Sequence, residues 1–190
     1  MSALSLTFDD GPDPVWTPQL LKVLHAADAR ATFFPISGRV ERHPKLIERM
    51  LGEGHEVGLH CDEHVRHSTR GVGWLRRDTK RALTALARVG VRPRLWRTPW
   101  GDVAPWSEHV AAEHGLRLVG WTADTHDWRG DRAQNMYASL RDRLDNGAVI
   151  LAHDGIGPGA RRTGISETIE FVRLVIAHAK RSGIRLEALA

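Results

Sequence analysis

The chain has 190 residues, 42% hydrophobic and 26% charged, which excludes disorder, collagen and coiled coil as dominant descriptions and leaves room for one domain, residues 1–190. Net charge is +4, from 27 basic and 23 acidic residues, and Arg supplies every cation except Lys22, Lys45, Lys80 and Lys180. The densest basic runs, Leu75 to Lys80 and Gly159 to Arg162, are short for a nucleic-acid patch, and no apolar run reaches the roughly 18 to 20 residues that span a bilayer, so neither nucleic acid nor membrane is expected as a partner.

Met1-Ser2-Ala3 runs into an apolar segment without the charged region or cleavage site of a secretion leader. As written the chain reads as cytoplasmic, and as extracytoplasmic if a leader has been trimmed. One cysteine, Cys61, excludes an intramolecular disulfide and a Cys-based zinc ribbon, so the fold must hold by core packing; the sequence leaves oligomeric state open, with a monomer as the default expectation. Eleven His and seven Trp are more informative, because imidazole suits metal and proton chemistry and indole offers flat surfaces to sugars or bases.

In chain order, a β-prone run predicts a strand over Leu4 to Asp9, and apolar spacing predicts a helix over Pro18 to Ala27. A strand over Ala31 to Ile36, a helix over Pro44 to Gly54 and a strand over His55 to His60 follow. Pro18 and Pro44 stand near helix starts, where a missing amide hydrogen costs little. Next come a helix over Gly73 to Val89, a strand over Leu95 to Pro99, a helix over Pro105 to Glu113 and a strand over Leu116 to Trp121. The last four elements are a helix over Ala133 to Leu144, a strand over Ala148 to His153, a helix over Ser166 to Arg181 and a strand over Ile184 to Leu189.

Seven strands alternating with helices imply parallel β-α units, either an open doubly wound sheet or a closed barrel. No Gly-rich phosphate loop opens a helix, which weakens the nucleotide-binding open sheet. Polar residues instead mark the ends of several strands: Asp9 and Asp10, His60, Arg97, Asp124 and His153. That convergence favours an α/β fold of the TIM-barrel-like kind, an irregular (β/α) barrel of about seven parallel strands with its site at the rim.

The first strand ends in Thr7-Phe8-Asp9-Asp10-Gly11-Pro12. Taken alone the string reads as a turn. With partners, its two adjacent carboxylates point in different directions, so that one can bind a cation while the other faces the water which that cation activates. Partners stand in His60-Cys61-Asp62-Glu63-His64, where two imidazoles four residues apart, with one carboxylate, make a three-ligand site that keeps a position open. The same string fits H-x-x-E-H, the inverted zinc-protease pattern with Glu63 as base, but that reading needs a helix where His55 to Leu59 looks like a strand.

Three more strings complete a set of five in order: Arg97-Thr98-Pro99-Trp100-Gly101, Asp124-Thr125-His126-Asp127-Trp128 and Leu151-Ala152-His153-Asp154. With them the chain resembles the polysaccharide deacetylases that share the NodB homology domain, the carbohydrate esterase family 4 enzymes. The resemblance spans nearly the whole chain. It implies a hydrolase that removes N-acetyl groups from a sugar of the chitin-oligosaccharide or peptidoglycan type, releasing acetate. One divalent metal would be held by Asp10, His60 and His64, and zinc fits two His and one Asp best, with Co2+ or Ni2+ able to use the same ligands. By the same resemblance Asp9 is the catalytic base, paired with Arg97, and the backbone amide of Trp100 helps hold the oxyanion. His153 protonates the leaving amine, with Asp124 holding its imidazole and raising its pKa, while Leu151 and Trp128 form the slot for the acetyl methyl group.

Two positions depart from the family. Cys61 stands where Ser or Thr is usual, and reads as a small buried hydrophobe rather than a fourth ligand. Trp100 replaces a more common Tyr, which bears on substrate shape and leaves the backbone role intact. Rival readings are an O-acetyl esterase acting on xylan and a carbohydrate-binding protein without catalysis. Of the remaining histidines, His25, His43, His55, His109, His114 and His178 read as solvated, whereas His67 and His126 fall in rim loops within reach of substrate or solvent. Trp16, Trp74 and Trp106 are scattered and open to either groove or packing roles.

Overall fold

The computed structural model describes residues 3–190; Met1 and Ser2, and with them part of the leader reading, lie outside the described residues. Strand β1 (Ala3–Asp9) forms the centre of the sheet. Its alternation sends Leu4, Leu6 and Phe8 to one side and Thr7 and Asp9 to the other, and all five are buried because both faces are covered. It lies parallel between β2 (Thr32–Phe34) and β7 (Val149–His153), in a register that sets Asp9 beside Phe34 and His153.

The order of the main sheet is β3-β2-β1-β7-β6, with β3 at Glu56–Val57 and β6 at Ala123–Asp124. Strands β4 (Leu95–Trp96) and β5 (Arg117–Leu118) pair with each other. A bridge between Leu59 and Trp96 joins them to the β3 side, with the Leu59 amide donating to the Leu95 carbonyl at 2.8 Å and the Arg97 amide to Leu59 at 2.9 Å. Gly58 permits that approach, since a Cβ there would overlap the Phe34 ring. The staves thus run β6-β7-β1-β2-β3-β4-β5, and among the described residues no ladder joins β5 to β6. This is the irregular, incomplete (β/α) barrel expected from the polar residues that gather at several strand ends.

Helices α1 (Thr17–Ala26), α2 (Ser37–Arg42), α3 (Pro44–Gly52), α4 (Val72–Arg88), α5 (Ser107–Glu113), α6 (Ala133–Leu140) and α7 (Ser166–Ser182) surround the strands. Pro18 and Pro44 occupy first-turn positions as expected. Helix α7 buries Thr168, Ile169, Phe171, Val172, Val175, Ile176 and Ala179, a stripe at helical spacing, and ends at Gly183, whose φ of 65° suits the left-handed residue that stops a helix. Among the described residues no helix is long and apolar enough to cross a membrane.

Several expectations are corrected. The strand expected over Leu116 to Trp121 ends at Leu118, and a separate stave, β6, begins after Gly120 has left the ladder to present its carbonyl to Arg97. The expected last strand is reduced to β8 (Arg185–Leu186), which pairs with the start of β1, far along that strand from Asp9, and is not a stave. Helix α2 had no periodic signal, because only Ser37 and Val40 of its six residues are buried. The helix expected to Leu144 ends at Leu140 and gives way to a 3-10 turn. His55 is buried, accepts the Ala31 amide at 3.1 Å, and is pushed down to about 4 by burial, so it is not solvated. His178 also has partners: its Nε2 donates to the Leu144 carbonyl at 3.2 Å, leaving Nδ1 to accept from the Tyr137 hydroxyl at 3.0 Å. Trp16, Trp74 and Trp106 are partly buried against the core.

Candidate active site

The strand ends enclose a cavity of about 370 Å³ lined by residues from all five sequence strings, with Arg97 bonded to Asp9 of its wall. Asp9 and Asp10 close β1. Asp10 takes a φ of 71°, a left-handed turn that Asp tolerates better than most side chains, and this swings its carboxylate away from that of Asp9. Beneath the turn lies Asp154, whose Oδ2 accepts from Thr17 Oγ1 at 2.6 Å and whose carboxyl burial pushes up to about 7. The carboxyl of Asp154 fills the place where a Cβ on Gly11 would stand.

Asp10, His60 and His64 each offer one ligand atom, all within 4.8 Å of one another. Asp10 Oδ1 lies 3.4 Å from His60 Nε2 and 3.2 Å from His64 Nε2. A carbonyl only accepts, so the 2.7 Å contact between His60 Nδ1 and the Arg97 carbonyl places the ring proton on Nδ1 and leaves Nε2 a free lone pair. That Nε2 and Asp10 Oδ1 are buried without a hydrogen-bond partner. Burial opposes charge on Asp10, yet His60 and His64 hold its carboxyl well below the usual carboxylate range. Burial likewise opposes charge on His60, and Asp10 and Asp9 still raise its pKa. A buried set that draws positive charge and has orphaned donor atoms fits a divalent cation.

Glu63 is excluded from this group. It is exposed and pairs with Arg81 at 2.7 Å, and residues 61–66 form a loop, which removes the helical protease reading. The loop is held by Asp78 of α4, whose carboxylate accepts the amides of Asp62 at 3.1 Å and Glu63 at 2.8 Å, so α4 positions His64. Cys61 is buried and outside the ligand group, as expected of a small hydrophobe.

Arg97 is fully buried and so is no surface ion pair. Its Nη1 donates to Asp9 Oδ1 at 3.0 Å and Thr7 Oγ1 at 2.6 Å, its Nη2 donates to the Gly120 carbonyl at 2.7 Å, and its guanidinium lies 4.5 Å from the Phe34 ring centroid. These contacts fix the carboxylate of Asp9 on the cavity wall. Trp100 has a φ of 56°, costly for a bulky side chain at about 1 to 3 kcal/mol, and sets its ring edge-on to His64 at 4.2 Å. Leu151 and Trp128 both line the cavity.

The expected partner of His153 is corrected. Asp127, not Asp124, holds the imidazole, with His153 Nδ1 donating to Asp127 Oδ1 at 2.7 Å. Asp124 Oδ1 instead accepts the His126 amide at 2.8 Å. Burial disfavours the imidazolium, but ionised Asp127 outweighs it and lifts the pKa of His153 to about 9. Asp127 is itself buried, and His153 and Arg162 keep it ionised. Its Oδ2 accepts from Arg162 Nη1 at 2.6 Å, Thr168 Oγ1 at 2.8 Å and the His153 amide at 3.0 Å. Neither Arg162 nor Thr168 is a candidate from sequence; Arg162 sits in a basic run that stands out there only as too short for a nucleic-acid patch. His67 is also corrected: it is fully buried, contacts Ser107 Oγ at 3.0 Å, and is lowered to about 4 by burial. His126 does line the cavity.

Comparison with known proteins gives a consistent set of likenesses. The family model described as polysaccharide deacetylase matches residues 2–119. A peptidoglycan-N-acetylglucosamine deacetylase of Bacillus cereus is 33% identical over 184 residues, covering 96% of this chain and 84% of the relative. A chitooligosaccharide deacetylase of Bradyrhizobium sp. is 34% identical over 194 residues, covering 97% and 87%. Among solved structures, a family 4 carbohydrate esterase from Streptomyces lividans in complex with acetate superposes with a TM-score of 0.87 at 28% identity, covering 97% of this chain and 91% of that one.

Proposed function

Because the chain belongs to the polysaccharide deacetylase family, we propose that this cavity hydrolyses the acetamide of an N-acetylated sugar in a glycan of the chitin-oligosaccharide or peptidoglycan type. The products are acetate and a free amine. One observation carries the assignment of roles: a ligand trio, Asp10, His60 and His64, and two proton-handling groups, Asp9 and His153, side by side in the register of β1 and β7 and lining one cavity.

Asp10, His60 and His64 would hold the metal, and two imidazoles with one carboxylate suit zinc, with cobalt or nickel able to use the same atoms. Bound there, the ion supplies Lewis acidity that acidifies the attacking water and polarises the acetamide carbonyl. Asp9, oriented by Arg97, accepts the proton of that water. The Trp100 amide, on its left-handed turn, donates to the oxygen that becomes negative as the carbonyl is attacked. His153, kept protonated and aimed by Asp127, delivers a proton from Nε2 to the departing nitrogen. Leu151 and Trp128 enclose the acetyl methyl group.

The test is acetate release from N-acetylated glycan oligomers by zinc-loaded protein, with products mapped by mass spectrometry. Each product should have exchanged an acetamide for an amine. Release from O-acetylated xylan alone would overturn the N-acetyl reading, and glycan binding with no release from any substrate would overturn the catalytic one.

A further inference from the structure

We propose that the mouth of this cavity selects glycans that carry carboxylates beside the acetylated sugar, and favours them over neutral glycans of the same length. The inference rests on the deacetylase reading and deepens it. It starts from the charges around the cavity. The carboxylates that line it are engaged: Asp9 by Arg97, Asp10 by the two imidazoles, and Asp124 by the His126 amide. Arg162 is committed to Asp127. Arg66 and Arg129, both exposed, remain at the edge, and among the described residues neither has a carboxylate within ion-pair distance.

Each of these guanidiniums lies over an indole of the same cavity. Arg66 Cζ is 4.8 Å from the Trp100 ring centroid and Arg129 Cζ is 5.1 Å from that of Trp128. Arg161 adds a third cation 5.9 Å from the Trp128 ring, on a segment tied down by its own amide, which donates to the Trp128 carbonyl at 2.8 Å. Stacking on an indole restrains the planar guanidinium but uses only its face; the N–H edge stays free for bidentate contact with a carboxylate. Asp102, which feels the charge of Arg66, is not ion-paired with it and accepts instead from the amide and hydroxyl of Ser68 at 2.7 and 3.0 Å.

A neutral chitin-type oligomer offers these edges only uncharged hydroxyl and carbonyl acceptors, whereas a glycan whose alternate sugars bear an ether-linked carboxylic acid brings an anion within one residue of the reacting acetamide. Two exposed charge-assisted contacts amount to about a tenfold difference in affinity at low salt, screened away as ionic strength rises.

The experiment compares one glycan in two forms, alternating N-acetylglucosamine and N-acetylmuramic acid with free carboxylates, and the same oligomer with those carboxylates converted to carboxamides. Calorimetric binding to zinc-loaded protein is measured for both at low and high salt, with acetate release followed separately. The proposal expects about tenfold tighter binding of the carboxylate form at low salt, a ratio that falls toward one at high salt and in the Arg66→Gln/Arg129→Gln variant. Equal affinity for the two forms, or a preference that survives in that variant, overturns it. Binding decides this whether or not acetate is released; absence of release from either glycan counts against the deacetylase reading alone.

Discussion

Two carboxylates three residues apart, Asp124 and Asp127, have different work because of one left-handed residue. His126, with a φ of 54°, turns the chain so that Asp127 folds back beneath β7 while Asp124 stays at the end of β6. Asp127→Asn should therefore withdraw the largest charge that raises His153, leaving burial, which lowers it, against the smaller raising effects of Asp10 and Asp9. A general acid works below its pKa and fails as pH rises through it, so the alkaline limb of the rate profile should move to lower pH by at least about one unit. Metal content should be unchanged, and Asp124→Asn should leave the limb in place; the reverse pattern would restore Asp124 as the partner. Asp9 and Asp10 separate in the same manner. By metal analysis of purified protein, Asp9→Asn should retain zinc and lose turnover by about a hundredfold or more, whereas Asp10→Asn should lose zinc itself. That Asp9, Asp10, His60, His64 and His153 meet in one cavity was legible in the sequence because their motifs close several strands. Asp127 was not, because residue type cannot distinguish two aspartates in one string when a turn decides which faces the histidine.

At the scale of elements, position was legible except for α2 and β6, whereas length was not, since the strands expected over His55 to His60, Leu95 to Pro99 and Leu116 to Trp121 shrink to β3, β4 and β5. Helices α4 and α7 carry enough turns for a buried stripe to show, whereas β3, β4, β5 and β6 have two residues each and are defined by their neighbours. The barrel was readable from the polar residues at several strand ends, since alternation alone fits an open sheet as well; its opening between β5 and β6 depended on where Gly120 leaves the ladder, which the strand-like run Leu116 to Trp121 conceals. Close approach is the testable part. At Gly157, in the loop after β7, a Cβ would overlap the carboxylate of Asp10. Gly157→Ala should lower zinc affinity by displacing that ligand, with little effect on the far-ultraviolet circular dichroism spectrum. Gly58→Ala should instead cost stability, about 1 to 3 kcal/mol in denaturant unfolding, because the Phe34 ring must shift where β2 approaches the β3–β4 junction. Zinc loss in Gly58→Ala and none in Gly157→Ala would contradict this division.

Across the whole molecule, folding brings together residues from positions 9 to 168: Asp9 on β1, His60 and His64 beyond β3, Arg97 beyond β4, Asp127 beyond β6, His153 on β7 and Thr168 on α7. A metal held by Asp10, His60 and His64 would thereby be linked to the fold. An ion that binds the native trio and not the unfolded chain should raise the melting temperature progressively with zinc concentration, and chelation should reverse the rise. The most direct measurement of the central claim is acetate release from N-acetylated glycan oligomers by one preparation, assayed zinc-loaded, after chelation and after zinc is restored, with His60→Ala alongside. The account predicts acetate with a matching free amine in the loaded enzyme, none after chelation, recovery with zinc, and none from His60→Ala under any condition. Undiminished release from chelated protein or from His60→Ala would contradict it.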